Sequence, residues 1–178
     1  QTPNSVCDDA IAGAFVGKIT GTLNYYGNPV GDFTPFNFNL FEGTDTTGTF
    51  LQGINGLNPD FIELEHGDYT VRAYEYVTGC FSDPVSIAVQ DNTVLPNVII
   101  TQQPNASCDD TQPIGAIQAY VDVLGNTVDH NFNWYDGGTV TGPLLVSSNV
   151  VTDLPGNQNY TVEAIHQITG CISTQSTF

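Results

Sequence analysis

Two triplets, Cys7-Asp8-Asp9 and Cys108-Asp109-Asp110, combine the residue types in this sequence best suited to chemistry. Neighbouring carboxylates on a loop suit a hard divalent cation. With a backbone carbonyl and one more Asp or Asn they approach the roughly six to eight oxygens that calcium takes. The candidate set is Asp109 and Asp110, completed by Asp91 or Asn92 from the junction between the two halves of the chain. Calcium is the only cofactor this points to, and the sequence shows none to be required. The competing reading is a solvated loop after a disulfide, because no D-x-[DN]-x-[DN]-G loop is present.

The four cysteines form no C-x-x-C pair and no Cys/His group at zinc spacing, which argues against a metal knuckle or a redox motif. They fall two to each half, and one pair per half predicts the bridges Cys7–Cys80 and Cys108–Cys171 in an oxidising compartment. A bridge needs Cα atoms within about 7 Å. Cys7 must therefore leave the first strand and cross back to the turn that holds Cys80. Closing such a loop contributes about 4 kcal/mol in the chain-entropy treatment.

Enzyme motifs are missing: there is no G-x-S-x-G, H-E-x-x-H, P-loop or G-x-G-x-x-G. His66, His130 and His166 do not recur at equivalent places in the two halves, and nineteen scattered acids specify no carboxylate pair. The expectation is a protein without catalytic activity. Only Lys18 and Arg72 oppose those acids, for a net charge of −17, divided as −10 before about Pro96 and −7 after it. Nucleic acid and anionic membrane surfaces are both repelled. With 40% hydrophobic and 11% aromatic residues the chain is folded rather than an acidic tail, and it contains no run of eighteen apolar residues.

The elements that must position these residues are repeated. Pro3-Asn4-Ser5-Val6-Cys7-Asp8-Asp9 aligns with Pro104-Asn105-Ala106-Ser107-Cys108-Asp109-Asp110, and Gly13-Ala14 with Gly115-Ala116. Asn37 to Gly43 aligns with Asn131 to Gly137, and the strand from Tyr69 to Gly79-Cys80 with that from Tyr160 to Gly170-Cys171. Each half reads as strands alone: Phe15 to Tyr26 or Ile114 to Leu124, Asn37 to Glu42 or Asn131 to Asp136, Phe61 to Leu64 or Val150 to Leu154, then the Tyr strand. Val85 to Val89 closes the first half, and Asn97 to Thr101 opens the second. Six or seven short strands per half predict an all-β protein of two antiparallel β-sandwich modules, 1–94 and 95–178. Leu64-x-x-Gly67-x-Tyr69, and the one-residue-longer Leu154 to Tyr160, resemble a tyrosine corner, in which the phenol bonds backbone upstream. Trp134 reads as core filler, with Leu40 in its place in the first module.

By the repeat offset, module one lacks the opening strand that Asn97 to Thr101 gives module two, and the last strand of module two stops part-way. The expectation is a slice of a longer array whose partners are neighbouring modules of the same chain. The short linker ending at Pro96 should hold them in a fairly fixed, elongated arrangement.

A cysteine, a Gly-led strand, the aromatic strand ending in Trp134-Tyr135-Asp136-Gly137, then L-x-x-G-x-Tyr-Thr-Val and a terminal Gly-Cys resemble the Ig-like repeats of large Bacteroidetes cell-surface adhesins of the SprB gliding-motility type. In place of that family's Asp-x-x-Gly-Cys turn stand Val77-Thr78-Gly79-Cys80 and Ile168-Thr169-Gly170-Cys171. The resemblance implies immunoglobulin-like modules of an extracellular, cell-surface filament or stalk exported by the type IX route. An alternative of a different class is a carbohydrate-binding module in which Tyr25, Tyr26, Tyr74 and Tyr76 stack on a surface polysaccharide. Strand alternation, which sends some of those rings into the core, argues for the stalk.

Overall fold

A computed structural model describes residues 1–25, 28–29, 34–55, 59–109, 111–122 and 124–177. The chain forms two compact units: residues 1–6 with 13–93, and residues 7–12 with 94–178. The boundary between the halves lies at 93/94, one residue before the expected limit of 1–94 and 95–178. The segment Cys7–Ala12, assigned by sequence order to the first module, packs as part of the second unit.

In the second unit, β9 (Val98–Gln103), β10 (Gly115–Val121) and β13 (Val150–Leu154) form a three-stranded antiparallel sheet in the order β13-β10-β9. The strands β11 (His130–Asp136), β12 (Leu144–Ser147), β14 (Tyr160–His166) and β15 (Ile172–Ser176) form a four-stranded sheet in the order β12-β11-β14-β15. The chain changes sheet after β10, β12 and β13. Ile117, Leu154, Phe132, Trp134, Val162 and Ala164 from both sheets meet in one buried cluster. Seven strands in this crossed antiparallel order are an immunoglobulin-like β-sandwich.

The first unit repeats the plan. Its four-stranded sheet has the order β5-β4-β7-β8, from β4 (Phe36–Glu42), β5 (Phe50–Asn55), β7 (Gly67–Glu75) and β8 (Val85–Val89). Opposite it, β1 (Gly17–Thr20) pairs with β6 (Asp60–Leu64), and Thr2 adds an isolated bridge to Lys18. A short hairpin, β2 (Asn24–Tyr25) with β3 (Asn28–Pro29), lies between β1 and β4. Among the described residues one helical turn is found, α1 (Asp9–Ala12), and it belongs to the second unit.

Period-two alternation decides which side chains go inward. On the central strands Phe38 faces Ala73 and Leu40 faces Val71; at the matching register Phe132 faces Ala164 and Trp134 faces Val162. Trp134 and Leu40 are both fully buried, so the core replaces one by the other at a single position. Fully burying a side chain of this kind contributes about 1.5–3 kcal/mol.

The register also corrects the repeat alignment. Gly17 and Gly115, not Gly13, are equivalent: they pair with Leu64 and Leu154, and a Cβ on either would meet that leucine's carbonyl oxygen at 2.2 or 2.5 Å. Opposite each glycine the register slips. The residue before each leucine, Glu63 or Asp153, adopts a left-handed conformation, as a bulge requires. The first strands are consequently shorter than the expected Phe15 to Tyr26 and Ile114 to Leu124.

Candidate functional site

The P-N-x-x-C-D segment is built twice by one device. The fully buried Asn4 side chain accepts the Val6 and Val16 amides (3.2 and 3.3 Å) and donates to the Val6 carbonyl (2.9 Å). Asn105 accepts the Ser107 and Ile114 amides, both at 3.0 Å. Each Asn pins the two feet of the loop that carries the cysteine, through bonds that do not involve the cysteine itself. The aspartate after the cysteine then closes an Asx turn, Asp8 onto Ala10 N and Asp109 onto Thr111 N, both at 2.9 Å.

The Gly-Cys turn that ends the Tyr strand is also duplicated. Gly170 N donates to His166 O and His166 N to Cys171 O, each at 2.9 Å; Gly79, Glu75 and Cys80 make the same two bonds at the same lengths. Gly170 and Gly79 both have positive φ, 67° and 74°. The residue that starts the turn braces its threonine: His166 Nδ1 accepts from Thr169 N and faces its hydroxyl at 3.0 Å, and the Glu75 carboxylate accepts the Thr78 hydroxyl. His166 therefore has a structural task, which Glu75 performs in the other unit.

Loop and turn meet inside the second unit. Cys7 N and Asp8 N donate to the Thr169 carbonyl (2.8 and 3.2 Å), and Cys7 is bonded to Cys171 with the Cα atoms 4.8 Å apart. Cys171 is buried by this docking. The expected bridges Cys7–Cys80 and Cys108–Cys171 are both corrected, and Cys80 and Cys108 carry free, exposed thiols. The Cys-Asp segment does turn toward a Gly-Cys end, but toward the one at 170–171. One cysteine pair per repeat set the expected pairing. What decides it is that the chain leaves unit 1 after Val6 and returns only at Gly13.

Two of the acids proposed for calcium, Asp109 and Asp91, accept local hydrogen bonds. The Asp109 carboxylate accepts Thr111 N and Oγ1 at 2.9 and 2.7 Å, which holds its carboxyl below the usual carboxylate range. Asp91 is lowered in the same way by Thr93, and it belongs to the first unit whereas Asp109 belongs to the second. Asp110 lies outside the described residues. Among the described residues no group of three or more His, Cys, Asp or Glu is placed to hold a metal ion.

Both tyrosine corners form. Tyr69 donates to Glu65 O at 3.0 Å and Tyr160 to Pro155 O at 3.4 Å, and burial raises both phenols. The two cations are engaged as well: Lys18 pairs with Asp60 at 2.7 Å, and the Arg72 guanidinium lies 4.2 Å over the Phe81 ring.

Tyr74 and Tyr76 lie on the outer face of β7 and just beyond its end, opposite the inward Tyr69, Val71 and Ala73, so neither of these two rings enters the core. Tyr74 packs against Tyr76 and Phe81 (centroids 5.8 and 4.9 Å apart), and Tyr76 donates to Asn55 Oδ1. Tyr26 and the Tyr25 side chain lie outside the described residues. Nothing in the sequence separated inner from outer rings without the register.

The fold and the docked loop define a class: tandem immunoglobulin-type β-sandwich modules with a disulfide that suits an oxidising, extracellular setting. No protein-family model and no curated protein matches the chain. Among solved structures it is similar to one described as the structure of amphioxus IgVJ-C2 molecule, at 13% identity and a TM-score of 0.33, over 90% of this chain and 94% of that one. No helix among the described residues is long and apolar enough to cross a membrane.

Proposed function

We propose that the two modules are structural repeats of a large secreted cell-surface adhesin or filament, serving as a stalk in surface adhesion or gliding motility. The observation that supports this is the use made of the repeat's polar signature. The Asn-held loop, the Cys7–Cys171 bond, the Gly turn and the tyrosine corner all hold backbone to backbone. A stalk needs covalent and backbone reinforcement more than an open reactive group, and secretion supplies the oxidising conditions for the bond. Net charge of −17 keeps such an array soluble. An antibody against the 178-residue chain, applied to intact source cells before and after protease shaving, tests it. Surface label that shaving removes is expected; label seen only after lysis overturns the reading.

A second reading rests on the exposed rings of Tyr76 and Phe81 around the half-buried Tyr74, beside Arg72, a surface of the kind sugars stack on. A glycan array with the intact chain and with Tyr76→Ala decides between them. Binding lost in the variant favours a polysaccharide-binding module, and no binding by the intact chain leaves the stalk.

A further inference from the structure

The docked pair in the second unit has an undocked counterpart for each half. Cys108 is the equivalent of Cys7, behind the same Asn-pinned loop and before the same Asx turn. Cys80 is the equivalent of Cys171, at the end of the same turn, with Cys80 N on Thr78 Oγ1 at 3.3 Å where Cys171 N meets Thr169 Oγ1 at 3.4 Å. Tyr76 N bonds Pro35 O as Gln167 N bonds Asp129 O, both at 2.9 Å. The surroundings of the two glycines differ. A Cβ built on Gly170 would meet Asp8 Cβ at 2.6 Å; one built on Gly79 would meet nothing within 4 Å. The turn at 78–80 is thus in the conformation that receives a Cys-Asp segment and is uncovered. The segment at 108–109 shares the Asn-pinned loop and the Asx turn of the docked one, and on docking Asp109 N exchanges its 3.1 Å bond to Ser107 Oγ for the threonine carbonyl.

We propose that Cys80 and Cys108 are the two halves of one inter-copy clasp. The Cys108-Asp109 segment of one copy of this chain docks on the Thr78-Gly79-Cys80 turn of a second copy, and the thiols join as a disulfide. The occupant follows from the bond already present, which shows what this turn accepts: a Cys-Asp amide pair on the threonine carbonyl, with the aspartate against the glycine.

The oxidant is a low-molecular-weight disulfide such as oxidised glutathione. One protein thiolate attacks it and releases a first glutathione; the second protein thiolate displaces the other. Two cysteine protons and two electrons end on two molecules of glutathione, and one S–S bond is exchanged for another. Because donor and acceptor lie on different repeats of one chain, a first bond leaves one donor and one acceptor free, which either close on each other as a reciprocal dimer or take up further copies. The clasp stands on the repeat geometry and holds whether or not the parent protein is an adhesin.

The test uses the full 178-residue chain at millimolar concentration in a glutathione redox buffer, which offsets the absence of a tether. Disulfide-linked dimers or higher species are expected, with Cys80–Cys108 the inter-copy junction found by non-reducing peptide mapping. Cys80→Ser mixed with Cys108→Ser should stop at a heterodimer, and neither variant should dimerise alone. Gly79→Ala should slow the cross-link about tenfold while leaving Cys80 equally reactive toward a small aromatic disulfide, since the lost contact is with the docked aspartate. Monomer throughout, homodimers of either variant in comparable yield, an internal Cys80–Cys108 link, or an unaffected Gly79→Ala would each overturn the proposal.

Discussion

Asp8 lies against Gly170 so closely that its Cα is 3.2 Å from where a Cβ on that glycine would stand. Gly170 therefore does two things at once. It supplies the positive φ of the turn, and it leaves room for the segment that carries Cys7.

Gly170→Ala and Gly79→Ala separate those tasks. At Gly79 only the left-handed backbone is penalised, by about 1 kcal/mol. At Gly170 the same penalty is joined by displacement of Asp8 and its amide bond to Thr169, for about 2–3 kcal/mol in all. Denaturant titration of the two variants with the disulfide intact should show Gly170→Ala to be the more destabilised by at least about 1 kcal/mol.

Removing the bond by Cys7→Ser with Cys171→Ser should cost about 5 kcal/mol in the chain-entropy treatment, since the bridged residues are 164 apart in sequence. Thermal unfolding of the double variant reads it. A loss below about 1 kcal/mol would mean that the loop is held by its backbone bonds alone.

Tyr69→Phe removes a 3.0 Å bond to Glu65 O, whereas Tyr160→Phe removes two long contacts, to Pro155 O and Gln158 Oε1, both at 3.4 Å. The first should destabilise its unit by about 1 kcal/mol and the second by less, as followed by chemical denaturation. Equal losses would contradict this ranking of the corners.

His130 is buried at the start of β11, with its Nδ1 unpartnered and the His166 ring 5.0 Å away. Burial first, then His166, lower its pKa, against smaller opposing effects from Asp129 and Asp122. The unfolded chain therefore takes up the proton more readily than the folded one. Stability is complete above the ordinary histidine pKa of about 6.5 and falls as pH drops through and below it, until the folded form also protonates. Melting temperatures from pH 8 to pH 5 should show this decline, and His130→Phe should flatten part of it.

Much of the fold was legible in the sequence because the central strands alternate cleanly: Phe38 and Leu40, or Phe132 and Trp134, announce a buried face. The tyrosine corners were legible as well, since a Leu, a Gly and a Tyr at fixed spacing have one common use. The strands β5 and β12 were missed, because Phe50, Leu51, Leu144 and Leu145 are exposed and give no alternation to read. The role of Gly17 was hidden because close backbone approach leaves no pattern, and Gly13 lay nearer the expected place. The disulfide partner was illegible for a stronger reason. Spacing says which residues can form a Gly-Cys turn, but two identical turns are available to Cys7, and only the path of the chain between Val6 and Gly13 selects one.

That choice also determines how the chain would carry tension. Pulled from points on either side of the Cys7–Cys171 bond, force enters at Cys7, crosses one S–S bond and leaves at Cys171, so the residues between them are outside the load path. Reduction would return them to it, and their unfolding under load would then release roughly 560 Å of contour at about 3.4 Å per residue. The bond thus makes the extensibility of the chain a function of redox state: a short, stiff tether when oxidised, and one that lengthens and dissipates work when a reductant reaches the sulfurs.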